Sequence, residues 1–308
     1  MDRVIQRYIF HLDNLRMDYK MTVNDFCEGI VNPRTYRYYL EGTKNISHTK
    51  ILEFCDKLSI SPTDFFYSVT ERDREELGKI KKLYKVIVNH QYSRFKSILE
   101  VVKERNIISK QNRRFLEYCI IKFKFNTHKE NSKVILNQIK KLLNYPACCE
   151  RTAFDFVDIC GLQLIADIEM EIGNNKALNK LIEILNDDEM KYISTESHDV
   201  LPAIYANTSL FLCRDGDYER SKSLARRGLD YSLKYSNLSG LAHLYYVLSY
   251  SLLQLGRKDE GMVYAIKCLM ISVGKENLFE YEMFKKDLTN EFECDIFAMI
   301  PRYKHNLI

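Results

Sequence analysis

The sequence predicts an all-α chain in which a compact N-terminal set of short helices is followed by a longer array of repeated helix pairs. Three observations carry this reading. Gly and Pro together make 16 of the 308 residues, well below the roughly 12% of average usage, which argues against turn-rich β-sandwiches and collagen-like chains. Capping residues punctuate the first seventy positions at short intervals. Further on, a pattern of two helices around a glycine turn recurs with a period near 40 residues. A hydrophobic fraction of 46% beside 29% charged residues supplies a large core and excludes wholesale disorder. At about 150 residues per domain the length suggests two domains, placed at 1–69 and 70–308.

In chain order, Tyr8, Leu12 and Leu15 fall at helical spacing and mark a first amphipathic helix over residues 3–16. Thr22, followed three residues on by Asp25, forms a capping-box pattern that opens a short helix through Phe26 and Cys27, and Gly29 turns the chain. Asn32 is a good N-cap and Pro33 a good first helical residue, so a third helix runs to about Leu40 and stops at Gly42. Ser47 caps a fourth helix with Ile51, Phe54, Cys55 and Leu58 on one face. Ser61-Pro62-Thr63-Asp64 starts a fifth that carries Phe65 and Phe66 inward. Thr70-Glu71-Arg72-Asp73 repeats the capping-box pattern and predicts a further helix linking this region to the rest.

Five short helices, with the second and third joined by a tight turn, form a helix-turn-helix arrangement. The stretches YRYYLEGTKNIS and KILEFCDKLSISPTDFF resemble the recognition helix, loop and closing helices of the XRE-type (Cro-like) repressor family. Two positions depart from that family: Thr22-Val23 stands where its second helix often begins with Gln, and Glu41 directly precedes Gly42 where the family's acidic residue lies one position earlier. The resemblance implies binding to a double-stranded DNA operator. The chemistry of the third helix points the same way. Arg34, Thr35, Arg37 and Tyr38 lie near its N-terminal end, where Arg can fork onto guanine and Thr can meet a base edge, while Lys44 and Lys50 suit phosphates. Residues 1–70 hold 9 basic and 9 acidic residues, so a single copy would gain little from phosphates. A homodimer that sets two such helices in successive major grooves would remedy this.

Beyond residue 150 an internal period emerges. Gly216-Asp217-Tyr218-Glu219 lies 40 residues before Gly256-Arg257-Lys258-Asp259, and Ala225, Leu229 and Ser232 align with Ala265, Leu269 and Ser272. Gly173 precedes Gly216 by 43 residues, and weaker echoes occur around NHQYSRFKSILE and FNTHKENSKVILNQI, giving about five units. Small residues recur where helices must approach closely: Ser209, Ser221 and Gly228, then Ser249, Gly261 and Cys268. The pattern resembles tetratricopeptide (TPR) repeats with lengthened helices; a HEAT-like stack is the other reading at this period. Either is an α-solenoid whose concave face, built mostly from first helices, binds extended peptides. Counting back from each turn glycine nominates Gln163, Asp167 and Glu171, then Asn207 and Arg214, then His243, Tyr246, Tyr250 and Gln254 as that face. Amide side chains can pair with a peptide backbone, Arg214 with a carboxylate, and the tyrosines offer flat area with a polar tip. The other reading of each is contact between helices.

Charge is segregated along the chain. Residues 79–151 hold 18 basic and 5 acidic residues, whereas 152–308 hold 17 and 24, a split that suits a polyanion near the middle block or an acidic surface on a partner. The nine cysteines lack a C-x-x-C pair or a nearby His pair and read as small buried residues in a reducing cytoplasm. No signal-peptide core and no 18-residue apolar run occurs, so neither secretion nor a membrane is expected. No H-E-x-x-H, G-x-S-x-G or Gly-rich phosphate loop is present, and the DGD at 215–217 lacks the closing Glu of a calcium loop, with Arg226 in its place. The chain is therefore not expected to be an enzyme, or to need a metal or other cofactor.

A helix-turn-helix head followed by TPR-like repeats resembles the peptide-pheromone receptors of Gram-positive bacteria, the RRNPP group of Rgg-, PlcR- and PrgX-like regulators. That resemblance implies a cytoplasmic, homodimeric transcription regulator for quorum sensing, whose repeat domain takes a short signalling peptide. The alternative is a helical-repeat adaptor or anti-activator that works by protein contact, as phosphatase-like relatives do, rather than through DNA.

Overall fold

The structure, a computed structural model, describes residues 3–188, 191–192, 195–238, 240–274, 278–303 and 305. It is helical throughout, apart from a two-residue parallel pairing of Ala153–Phe154 with Lys191–Tyr192. The chain forms two compact units, Met1–Gln138 and Ile139–Ile308.

The first unit opens with α1 (Arg3–Asp18), α2 (Val23–Cys27), α3 (Pro33–Glu41) and α4 (His48–Lys57). Thr22, Asn32 and Ser47 cap the last three as the sequence predicts, each side-chain oxygen accepting a backbone N–H from the first turn. Gly42 ends α3 in the left-handed conformation at φ 74°, where a side chain would be strained. These helices close over Ile9, Leu12, Phe26, Tyr36, Phe54 and Phe65. Phe26 stacks on Phe54 at 4.6 Å, and Tyr36 meets Phe26 edge-on at 5.6 Å.

Ser61 caps α5, which runs without interruption over Pro62–Val88. This corrects the expectation of a new helix opening at Thr70: Thr70-Glu71-Arg72-Asp73 sits in the middle of α5. A capping pattern starts a helix only where the preceding residue leaves helical conformation. No Gly or Pro occurs between Thr63 and Leu77, and the buried stripe of Phe65, Val69, Glu76, Ile80, Leu83 and Ile87 continues through the site. Then come α6 (Phe95–Lys103), α7 (Lys110–Asn126) and α8 (Ser132–Leu143), inside which the first unit ends.

The connection between α6 and α7 folds onto the N-terminal helices. Ile108 joins their apolar cluster, and Asn14 exchanges two hydrogen bonds with the Asn106 backbone, donating to its carbonyl at 2.7 Å and accepting from its N–H at 2.9 Å. Arg105 reaches Asp18 at 2.8 Å, and the Arg113 guanidinium lies over the Phe10 ring.

The second unit contains α9 (Phe156–Glu171), α10 (Lys176–Asn186), α11 (Thr195–Arg214), α12 (Tyr218–Lys234), α13 (Leu241–Gln254), α14 (Lys258–Gly274), α15 (Leu278–Phe292) and the short α16 (Ile300–Tyr303). From α11 to α15 each helix packs on the next, and α13 also packs on both α11 and α15. Gly173, Gly216 and Gly256 lie just beyond α9, α11 and α13 with φ of 74° to 78°, so the predicted turn glycines do close first helices. In the first unit His90 and His128 take the same left-handed turn after α5 and α7, at φ 54° and 50°. Five helix pairs, α5/α6 through α13/α14, thus follow one another among the described residues. Gly228 in α12 lets the helices approach closely, since a Cβ there would lie 2.5 Å from Tyr205 Cβ and 2.7 Å from Leu244 Cδ2. Eight of the nine cysteines are buried, as expected of small core residues.

Candidate functional site

Two candidate surfaces emerge, one on each unit. On the first, Pro33 at the first helical position and the Asn32 side chain, which accepts from Arg34 N at 2.8 Å, fix where α3 begins. Tyr36 and Tyr39 bury one side of α3, which leaves Arg34, Arg37 and Tyr38 together on its open side. Arg34 Nε donates to the Tyr38 hydroxyl at 2.8 Å and its guanidinium lies 5.7 Å from the centre of the Tyr38 ring, so the two side chains are held together. Thr35 is half-buried, and Lys44 is exposed in the loop after Gly42. Lys50 is drawn to Glu53 at 2.6 Å within α4, which offsets the charge it would offer a phosphate.

The anchor of α3 lies on its buried side and was not apparent in the sequence. Tyr36 donates its hydroxyl to Asp13 Oδ1 at 3.2 Å, Arg16 Nε donates to the same oxygen at 2.8 Å, and Asn106 donates to Asp13 Oδ2 at 2.8 Å. Asp13 is 5% exposed, so three donors satisfy a carboxylate that burial would otherwise penalise. Burial, then the neighbouring Asp13, push the Tyr36 hydroxyl far above its ordinary titration range, so it remains a donor. The result is a helix whose pose is set by α1 and by the connection before α7.

On the second unit a cleft of about 490 Å³ is lined by α11, α13 and α15. Asn207, Leu210 and Arg214 contribute from α11, and His243, Tyr246 and Tyr250 from α13, both sets at i, i+3, i+7. The structure therefore brings five of the nine sequence-nominated residues together. Gln163 and Asp167 lie elsewhere: Gln163, 4% exposed, donates to Asp167 at 2.6 Å and accepts from the Thr208 hydroxyl at 3.2 Å, joining α9 to α11. Glu171 and Gln254 are exposed on the last residues of α9 and α13 and do not line the cleft.

The third wall, Met283, Phe284, Asp287 and Glu291 of α15, escaped sequence analysis because no turn glycine marks α15 as a first helix. Its repeat of the i, i+3/i+4, i+7 spacing is the signal that could have found it. Phe284 joins the two sides, stacking against Tyr246 at 5.1 Å and meeting the His243 ring edge-on at 4.9 Å. His243 Nδ1 also lies 3.2 Å from Glu280 Oε1. Burial, followed by the charges of Asp287 and Glu291, pushes the Tyr246 hydroxyl up to about 12, and burial and Glu291 raise that of Tyr250. Both hydroxyls therefore stay protonated and available as donors at neutral pH.

No family model matches this sequence, and no curated protein matches it. Solved structures do. PlcR of Bacillus thuringiensis, in complex with the peptide PapR7 and DNA, is similar over 92% of this chain and 99% of its own, with a TM-score of 0.55 and 18% identity. ComR from S. thermophilus, in complex with DNA and its signalling peptide ComS, is similar over 92% of this chain and 99% of its own, with a TM-score of 0.57 and 13% identity. At these identities the likeness is one of fold, and the chain shares the all-α fold of PlcR and ComR over nine-tenths of its length.

Proposed function

We propose that the chain is a cytoplasmic, DNA-binding transcription regulator of the RRNPP type, controlled by a short signalling peptide. In this reading residues 1–69 are an XRE-like head that reads a double-stranded operator with Arg34, Thr35, Arg37 and Tyr38, assisted by Lys44 and Lys50. Residues 70–308 are a TPR-like array that binds the peptide and brings two copies together. The observation that carries the reading is the cleft on α11, α13 and α15, where Asn207 and Arg214 face His243, Tyr246 and Tyr250, in a chain that also exposes a capped, arginine-bearing helix. The shared fold with PlcR and ComR, each solved with DNA and a peptide, supports it.

Control by a peptide requires that the ligand bind one arrangement of the array better than another, because equal affinity shifts nothing. Asn207 has the chemistry to pair with a peptide backbone, and Arg214 to pair with a carboxylate. With a head whose first seventy residues carry no net charge, affinity depends on a few phosphate contacts and on doubling them in a homodimer.

The test is fluorescence anisotropy of the full chain with labelled DNA from upstream of its own reading frame, across a salt series. Specific binding is expected to weaken steeply with salt, and Arg34→Ala/Arg37→Ala to abolish discrimination between the operator and unrelated DNA while leaving a salt-dependent, non-specific remainder. Wild-type discrimination in the double variant would remove α3 as the reading helix. Absence of any salt-dependent DNA binding would favour an adaptor working by protein contact.

A further inference from the structure

The cleft has a polarity that the nominated residues do not explain. Asp287 and Glu291 stand one turn apart on α15 along one wall, and neither makes an ion pair or hydrogen bond among the described residues. Their charges are nonetheless felt inside, since both raise the Tyr246 hydroxyl and Glu291 raises that of Tyr250. Between them and α13 lies the half-buried Tyr246 ring, backed by Phe284, which is 1% exposed, with the exposed Met283 beside it. On α11, Arg214 is exposed and likewise makes no ion pair among the described residues.

We infer that the cleft selects a short peptide bearing a positive group, held by Asp287 and Glu291 next to an apolar side chain that rests against Tyr246 and Met283. This rests on the reading of the cleft as a peptide site and specifies the class of peptide. The positive group is an N-terminal amine or a Lys or Arg side chain. Either gives the two carboxylates a partner in a partly desolvated setting, where charge-assisted hydrogen bonds are stronger than in water. A neutral or acidic peptide would cover both carboxylates without compensation, and that penalty discriminates against it. Arg214 suits the carboxylate of the same zwitterionic ligand. At longer range the acidic excess of the unit, 25 acidic against 20 basic residues over 139–308, favours cations over anions near it. The cleft volume of about 490 Å³ lies within the ~300–1,000 Å³ of ligand clefts and accommodates a few side chains rather than a folded partner.

The experiment passes two synthetic pools of randomised seven-residue peptides, one with free N-termini and one N-acetylated, over the full-length chain and reads retained peptides by mass spectrometry. Wild type is compared with the isosteric Asp287→Asn/Glu291→Gln variant, whose helicity and melting are checked by circular dichroism. The expected result is a retained set rich in positive groups, and a loss of about tenfold in its affinity for the double variant, as charge pairs to the half-buried Asp287 and the exposed Glu291 would give. Lys and Arg enrichment that survives acetylation identifies a side chain as the cation, whereas retention from the free pool alone identifies the amine. A retained set that is neutral or acidic, or an enrichment unchanged in the double variant, overturns the charge inference while leaving the peptide site standing. No retention from either pool overturns both.

Discussion

His11 makes the first unit sensitive to acid in a way that can be worked through from its neighbours. The ring is 4% exposed in α1 and lies 5.3 Å from that of Phe65. Its Nε2 lies 2.7 Å from Ser68 Oγ, and Ser68 already donates its proton to the Phe65 carbonyl at 2.8 Å, so His11 Nε2 must be the donor. Nδ1 is buried with no hydrogen-bond partner. A second proton there would be unpartnered and would face Arg72 and Arg7, with only Asp18 favouring it. Burial first, then those guanidinium groups, push the His11 pKa from 6.5 down to about 4. The sign follows: above pH 6.5 the ring is neutral in both folded and unfolded chains and stability is full. As pH falls from 6.5 towards 4 only the unfolded chain takes up the proton, and stability is lost at about 1.4 kcal/mol per pH unit. At pH 4.5 the loss amounts to about 2.5 kcal/mol.

Two measurements check this. In a ¹H–¹³C NMR titration the His11 ring signal, assigned by its absence from His11→Gln, should show no inflection above pH 5. In urea unfolding the wild type should lose about 2.5 kcal/mol more than His11→Gln between about pH 7.5 and pH 4.5, because other titrating groups cancel in the difference. A His11 inflection near 6.5, or parallel pH profiles for the two proteins, would refute the reasoning.

Two further predictions concern packing and capping. Gly228→Ala places a methyl 2.5 Å from Tyr205 Cβ, too close for a side chain to yield by rotation alone; it should cost about 1–3 kcal/mol in thermal unfolding, and an unchanged melting curve would mean that α12 and its neighbours are packed more loosely. Asn32→Ala removes an N-cap and should cost about 1 kcal/mol in urea unfolding, whereas Thr70→Ala, on the exposed side of an unbroken helix, should change stability by less than about 0.5 kcal/mol. Equal costs at the two sites would indicate a helix start at Thr70 after all.

What was legible in the sequence was local. Thr22, Asn32, Ser47 and Ser61 cap helices because a side-chain oxygen and an amide two or three residues on meet without help from the rest of the chain. The same pattern at Thr70 misled, since whether a cap forms depends on a break in the preceding helix, and α5 keeps its buried stripe through that point. The repeat was clear where glycine occupies the left-handed turn at 173, 216 and 256, and faint where His90 and His128 adopt it instead, at some conformational cost. The candidate cleft was half visible. Phase from the turn glycine located the α11 and α13 walls, but α9 is buried on nearly all sides, so the same phase turned Gln163 toward Thr208 of α11 rather than toward open space. The Asp13 anchor beneath α3 depends on Asn106, more than ninety residues away, and no spacing rule connects the two.

The reciprocal amide pair of Asn14 and Asn106 bears on how such a head can be handled and how it can diverge. It is not a detachable cassette. A fragment cut after residue 69 would lose Asn106 from Asp13 and Asn14, Ile108 from the apolar cluster and Arg113 from the Phe10 ring. The Asp13 carboxylate that fixes Tyr36 would then depend on fewer donors, and α3 would be presented less rigidly. A chimeric regulator built with this head would need its borrowed segment to extend through α7. For the same reason substitutions in α1 and in the connection before α7 are not free to accumulate independently, since an exchange at Asn14 is tolerated only if the backbone at Asn106 finds another partner.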